Sequence, residues 1–138
     1  IVDVGFSGAK NNVQLSHLFR GKLVDSWDFA LNKVLTFDGF SNHGTTVASF
    51  VFGKFDSLNV GHATEAEALF AKMNSPRKKD KLIEEAWLKA IEWCHQKGAQ
   101  LVNSSVGYVG NNYNHDMLTG DTCKMSLAGN LAARKGSG

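Results

Sequence analysis

Apolar residues recur at helical spacing between Lys81 and Lys97. Leu82, Ile83, Ala86, Trp87, Ala90, Ile91 and Cys94 share one face, while Glu84, Glu85, Lys89, Glu92 and Gln96 fall elsewhere. That period predicts an amphipathic helix with Trp87 in the core. Gly98 is its natural C-terminal stop, and His95 suits the negative end of the helix dipole. A second helical pattern over residues 122–135 carries Met125, Leu127, Ala128, Leu131 and Ala132. A shorter one follows His43, where Val47, Ala48, Phe50 and Val51 read as a helix entering a core and fading near Gly53. Ser41 or Asn42 is available as its N-cap.

Strand patterns separate these helices. Ile1 to Phe6 is an apolar β-type run interrupted by Asp3 and breaking into a turn at Gly5 and Gly8. It begins without a turn or polar lead-in, so residues upstream are expected. Leu23 to Phe29 alternates weakly, Ala66 to Met73 is bounded by loops on both sides, and Leu101 to Gly107 turns polar at its far end. All three read as strands. Residues 9–42 are otherwise irregular, with turn signals at Asn11-Asn12 and Gly21-Lys22. Thr36 to Ser41 is a loop leading to His43, and residues 108–121 form a polar loop. Strands alternating with helices over short links predict an α/β fold with a parallel sheet and flanking helices. No internal repeat or low-complexity tract is present.

Composition narrows the picture. A chain of 138 residues is one domain's worth, long enough for a core. Hydrophobic residues make up 43% and charged residues 20%, as in ordinary globular proteins. A net charge of +2 argues for neither nucleic acid nor a membrane surface as partner. Arg77, Lys78, Lys79 and Lys81 cluster beside Pro76 and read as a solvated loop. No apolar run is long enough to span a bilayer, and no signal peptide opens the sequence. Cys94 and Cys123 lack metal-ligand spacing and are compatible with one disulfide or with two buried thiols.

The chemistry gathers in a few places. His43 precedes Gly44-Thr45 at the mouth of a helix, between solvent and core, where a general base can be held firmly and still be reached. The plainer reading is a polar residue opening a helix. Asp3 interrupts a buried strand, which is costly unless the carboxylate is paired or lies at the strand's end; a turn-capping role is the plainer alternative. In open parallel sheets, function collects beyond the carboxyl ends of the strands. Asp3, His43 and the end of the strand at Ser105-Val106-Gly107 can meet there, and together they suggest nucleophilic acyl transfer. Gly5-Phe6-Ser7-Gly8 is a poor phosphate loop, and no Gly-Lys-Ser/Thr motif accompanies it, so a nucleotide-binding domain finds little support.

Four motifs in order resemble the subtilisin family of serine peptidases. Asp3-Val4-Gly5 resembles the segment around the family's catalytic aspartate, with Val4 where a serine or threonine is usual. Asn42-His43-Gly44-Thr45, with Val47 and Ala48, resembles the catalytic-histidine motif. Gly61 to Leu69 resembles the Gly-Val-Ala-Pro segment that leads into a strand, with His62 and Thr64 as departures. Ala90 to Trp93 through Val102-Asn103-Ser104-Ser105-Val106-Gly107 resembles the helix followed by Ile-Asn-Met-Ser-Leu-Gly. Tyr108 and Thr119-Gly120-Asp121 look most like secreted members from Bacteroidetes-type bacteria. The resemblance implies a partial subtilisin-like three-layer fold spanning residues 1–138. It implies Asp3 and His43 as catalytic residues, Ser105, Val106 and Gly107 as a backbone edge for an extended polypeptide substrate, and a secreted or cell-surface protein.

The family's nucleophilic serine lies in a Gly-Thr-Ser motif that this chain does not contain. Ala128-Gly129-Asn130 matches the family's oxyanion asparagine in letters but falls within a helical pattern. The resemblance therefore implies the N-terminal part of an endopeptidase catalytic domain, truncated at both ends and inactive alone. The partner would be the remaining part of the same domain, covering surface that the isolated chain leaves apolar. The rival reading is a catalytically dead peptide-binding domain of the same fold. No cofactor is required. Calcium is often bound by the family, but Asp56 and Asn59 in the segment from Gly53 to Gly61 are too few oxygen ligands to define a site.

Overall fold

The computed structural model describes residues 1–74, 80–107, 116 and 119–136, with the side chains of residues 80–82 excepted. The first half folds around short strands: β1 (Val2–Asp3), β2 (Leu23–Asp28), β3 (Lys33–Val34), β4 (Lys54–Phe55), β5 (Leu58–Asn59) and β6 (Ala68–Lys72). Among the described residues three α-helices accompany them, α1 (His43–Phe52), α2 (Asp80–Gln96) and α3 (Lys124–Arg134), with short 3-10 turns between β1 and β2. Strands β1, β6, β2 and β3 form one sheet in that order. β6 pairs in parallel with both β1 and β2, and β3 closes the edge antiparallel to β2.

Side chains alternate across the sheet and sort the core into two layers. On one face Phe70 of β6 is fully buried with Phe6, Leu15, Leu18 and, from α1, Ala48 and Phe52. Phe6 stacks on Phe70 with ring centroids 4.6 Å apart. On the other face Val2 and Ala71 meet Ala86, Trp87, Ala90, Ile91 and Cys94 of α2, with Met125, Ala128 and Ala132 of α3 behind them. The result is helix, sheet and helix pair: the expected α/β architecture with a mostly parallel sheet and flanking helices. Each buried aromatic or branched side chain contributes roughly 1.5–3 kcal/mol, so these two layers carry the fold.

Helix α2 stops where its sequence says. Gly98 takes φ +80°, its N–H donates to the carbonyl of His95, and the Ala99 N–H donates to that of Cys94. Those two bonds satisfy carbonyls that the helix end would leave open. At the start of α1, Asn42 occupies the cap position without a capping side-chain bond. Ser41 does that work instead: its hydroxyl accepts from the His43 N–H at 3.3 Å.

Two segments differ from expectation. Residues 101–107 run beside β1 but form no regular strand. The backbone groups of Ile1 and Asp3 are committed to β6, which leaves the Val2 N–H to donate to the Asn103 carbonyl at 2.9 Å. A strand of two residues offers no further ladder on that side. The segment is anchored instead by Trp87, whose indole N–H donates to the Ser104 hydroxyl at 2.8 Å. Residues 53–61, weighed from sequence only for calcium ligands and assigned no element, hold the β4–β5 hairpin, with Asp56 at φ +51° in its turn. The basic residues Arg77, Lys78 and Lys79 and the side chain of Lys81 lie outside the described residues, as does Tyr108.

Candidate active site

Asp3 closes β1 and is completely buried. Its Oδ1 accepts from the Val4 N–H at 2.7 Å and lies 2.8 Å from Nδ1 of His43. His43 is the first residue of α1, and its side chain is 49% exposed. A carboxylate in this position orients the ring through Nδ1 and leaves Nε2 outside the contact. The pair spans 40 residues of chain, and each residue of the histidine motif helps to close that span.

Gly44 permits the approach. Its N–H donates to the Gly5 carbonyl at 2.8 Å. A Cβ there would meet Gly5 O at 2.7 Å, the Phe6 ring at 2.8 Å and Asp3 Cβ at 2.9 Å, so no larger residue fits without moving α1 off the strand. Thr45 is buried, and its hydroxyl donates to the Ser7 carbonyl at 2.8 Å. From the other direction, the Ser7 N–H donates to Ser41 O at 2.9 Å. The turn after β1 and the first turn of α1 are thus bolted together on both sides of the Asp3–His43 contact. His-Gly-Thr is a structural unit as much as a chemical one.

A second charged pair lines the same carboxyl edge. Lys72 ends β6, and Asp28 ends β2, in register with it. Asp28 is 2% exposed; its Oδ2 accepts from Lys72 Nζ at 2.7 Å, and its Oδ1 accepts from the Leu31 N–H at 3.0 Å. Sequence reading passed over both residues. A lysine ending an apolar strand was the available signal, but the register that pairs it with Asp28 is a tertiary fact.

Ser105, Val106 and Gly107 lie on the segment that runs beside β1. Ser105 is exposed and donates its hydroxyl to Asn103 Oδ1 at 3.1 Å. Val106 is half-buried against the α2 layer, and among the described residues nothing lies within 4 Å of where a Gly107 Cβ would stand. The structure therefore joins Asp3 to His43, and it ties the segment that carries 105–107 to β1 at Asn103. Ala128-Gly129-Asn130 lies within α3, as its helical pattern indicated. Cys94 and Cys123 are both buried and are not joined in a disulfide, and burial pushes the Cys94 thiol above its ordinary value. Among the described residues no group of three or more His, Cys, Asp or Glu side chains is placed to hold a metal ion, and no helix is long and apolar enough to cross a membrane.

A mostly parallel α/β sheet, with a buried carboxylate oriented on a half-exposed imidazole at its carboxyl edge, places the chain in the class of α/β domains. Within that class the chain belongs to the subtilase family, whose profile matches residues 7–135, and the family is one of subtilisin-like serine proteases. Asp3 lies just ahead of the matched span, while His43 lies inside it. No curated protein and no solved structure matches the chain.

Proposed function

We propose that this chain is the N-terminal part of a subtilisin-like endopeptidase catalytic domain, with Asp3 and His43 as two members of an Asp-His-Ser triad. The observation that carries the reading is the 2.8 Å contact between Asp3 Oδ1 and His43 Nδ1, with the imidazole otherwise half open to solvent. His43 Nε2 takes the proton from a serine hydroxyl as that oxygen attacks the peptide carbonyl, then returns it to the leaving amine. Asp3 holds the imidazole tautomer and stabilises its charged form. The serine comes from the remaining part of the domain, which is the chain's principal partner. Exposed Leu101, Leu127 and Leu131 support such a partner, since each leaves apolar surface uncovered.

The substrate is a polypeptide, laid in extended form along Ser105-Val106-Gly107. That segment is tied to β1 at Asn103, and a residue without a Cβ at Gly107 lets a second backbone come close. No cofactor enters the reaction, and structural calcium is a family trait without an assigned site here. A secreted or cell-surface setting, among proteins like those of Bacteroidetes-type bacteria, completes the reading.

Intact mass of the purified protein before and after a fluorophosphonate probe tests it. The expected result is one adduct on a species heavier than 15.0 kDa, or on a separate co-purifying chain. A single unlabelled species at 15.0 kDa would leave the family in place but remove the claim of catalysis, favouring a peptide-binding domain.

A further inference from the structure

Three charged residues stand side by side at the carboxyl edge of the sheet. Asp3 of β1 is in register with Lys72 of β6, and Lys72 is in register with Asp28 of β2. In-register residues on parallel neighbours point to one face, and adjacent strands lie about 4.8 Å apart. The Lys72 stem therefore rises between two carboxylates, both almost completely removed from water. Its ammonium has gone to one of them, Oδ2 of Asp28. Oδ2 of Asp3, by contrast, is buried with no hydrogen-bond partner among the described residues.

That asymmetry needs a cause. A lone buried carboxylate oxygen is a strong acceptor for any ammonium within reach, because low local dielectric magnifies the attraction. Lysine carries a flexible stem and a compact charge, so it can swing between neighbours. Asp28 meets the ammonium with a carboxylate already oriented from its other oxygen by the Leu31 N–H. The geometry points to Asp28 as a positioning residue that holds the Lys72 ammonium away from Asp3 and so reserves that carboxylate for His43. The functional weight of this inference rests on the triad reading above; the side-chain arrangement it describes does not.

The two halves of the pair should then behave differently when removed. Asp28→Asn keeps the acceptor for Leu31 but releases Lys72, which moves to Asp3 Oδ2 and pulls that carboxylate out of line with His43. Lys72→Met breaks the same ion pair and keeps the stem, but creates no competitor for Asp3. A merely structural pair would make the two variants equivalent. One other carboxylate could capture the released lysine: Asp38, on the loop before α1, is held below the usual carboxylate range chiefly by the Thr36 hydroxyl and its own backbone N–H, with Lys33 and Lys72 adding charge.

The test is a proton spectrum of the histidine-labelled protein, reading the downfield imidazole Nδ1–H resonance assigned by its loss in His43→Ala. We expect the resonance in the parent and in Lys72→Met, its loss or large upfield shift in Asp28→Asn, and its return in the Asp28→Asn/Lys72→Met double variant. Loss in both single variants without rescue in the double would overturn the inference in favour of a structural role. Persistence in Asp28→Asn would also overturn it, showing that Lys72 stays away from Asp3 or prefers Asp38. The readout involves no hydrolysis, so a failure of the proposed activity leaves it standing or falling on its own.

Discussion

At the scale of single residues, the Asp3–His43 contact divides labour between two side chains in different surroundings. Asp3 is fully buried and receives a backbone N–H; His43 stands half in solvent with one nitrogen committed. Replacing either therefore has separable consequences. In the assembled enzyme, Asp3→Asn should lower kcat by about 10⁴-fold, because an amide no longer enforces the tautomer that leaves Nε2 basic. His43→Ala should lower kcat at least as far, with KM little changed, since its proton transfer occurs only in the transition state. Steady-state kinetics on a peptide substrate checks both. Retention of more than a tenth of the activity in His43→Ala would exclude it as the base. Neither role was legible from its own residue type. His43 alone is an ordinary helix opener, and Asp3 alone an ordinary strand-end carboxylate; the pairing became readable only through the order of the four motifs.

Elements set the distances on which those residues depend. The tight seat of α1 on β1 is a consequence of Gly44, where a methyl group would fall 2.7–2.9 Å from three neighbouring atoms. Gly44→Ala should cost about 1–3 kcal/mol, as over-packing of a rigid contact does, and lengthen the Asp3–His43 hydrogen bond. Urea denaturation should report the first effect and the imidazole Nδ1–H resonance the second. Phe70→Ala, in the layer below, should cost about 3–5 kcal/mol by opening a cavity beneath Phe6. The elements themselves were unequally readable. α2 declares itself through seven apolar residues at a period near 3.6, and Gly98 ends it in sequence and in space alike. Residues 101–107 have the composition of a strand, but a ladder requires a partner, and β1 is too short to supply one. The β4–β5 hairpin has two residues per strand, too few to produce an alternating pattern.

For the molecule as a whole, charge ties the irregular first half together. Glu65 receives Lys22 at 2.7 Å and Lys54 at 2.8 Å, joining the chain just before β2 to the hairpin. Hydrogen bonds from those two lysines pull its carboxyl down to about 2. A carboxylate lowered on folding stabilises above its unfolded value near 4.5 and loses that contribution as pH falls toward 2. The site is exposed, so the effect should be small and should shrink with added salt. His17 acts in a higher window. Burial, with help from Lys54 and Lys22, holds its imidazole below the ordinary value of 6.5. The unfolded chain therefore takes up the proton first, and stability should decline as pH drops below 6.5. Urea midpoints across that range should fall for the parent and flatten for His17→Gln. None of this network shows in a net charge of +2, because composition counts charges without placing them.

β1 is the shortest strand in the main sheet along with β3, and it alone carries Asp3. Its pairing partner in β6 arrives about 70 residues later in the chain. At translation rates of about 5–20 residues per second, roughly 3–14 s pass between the emergence of the two. In the last part of that interval, once α1 (His43–Phe52) has emerged, the helix can coil and His43 can be in place, but the carboxylate has no strand to hold it. The growing polypeptide therefore carries its histidine unpartnered until β6 has emerged, and the Asp3–His43 contact is a late product of chain synthesis, set when the sheet closes around β1.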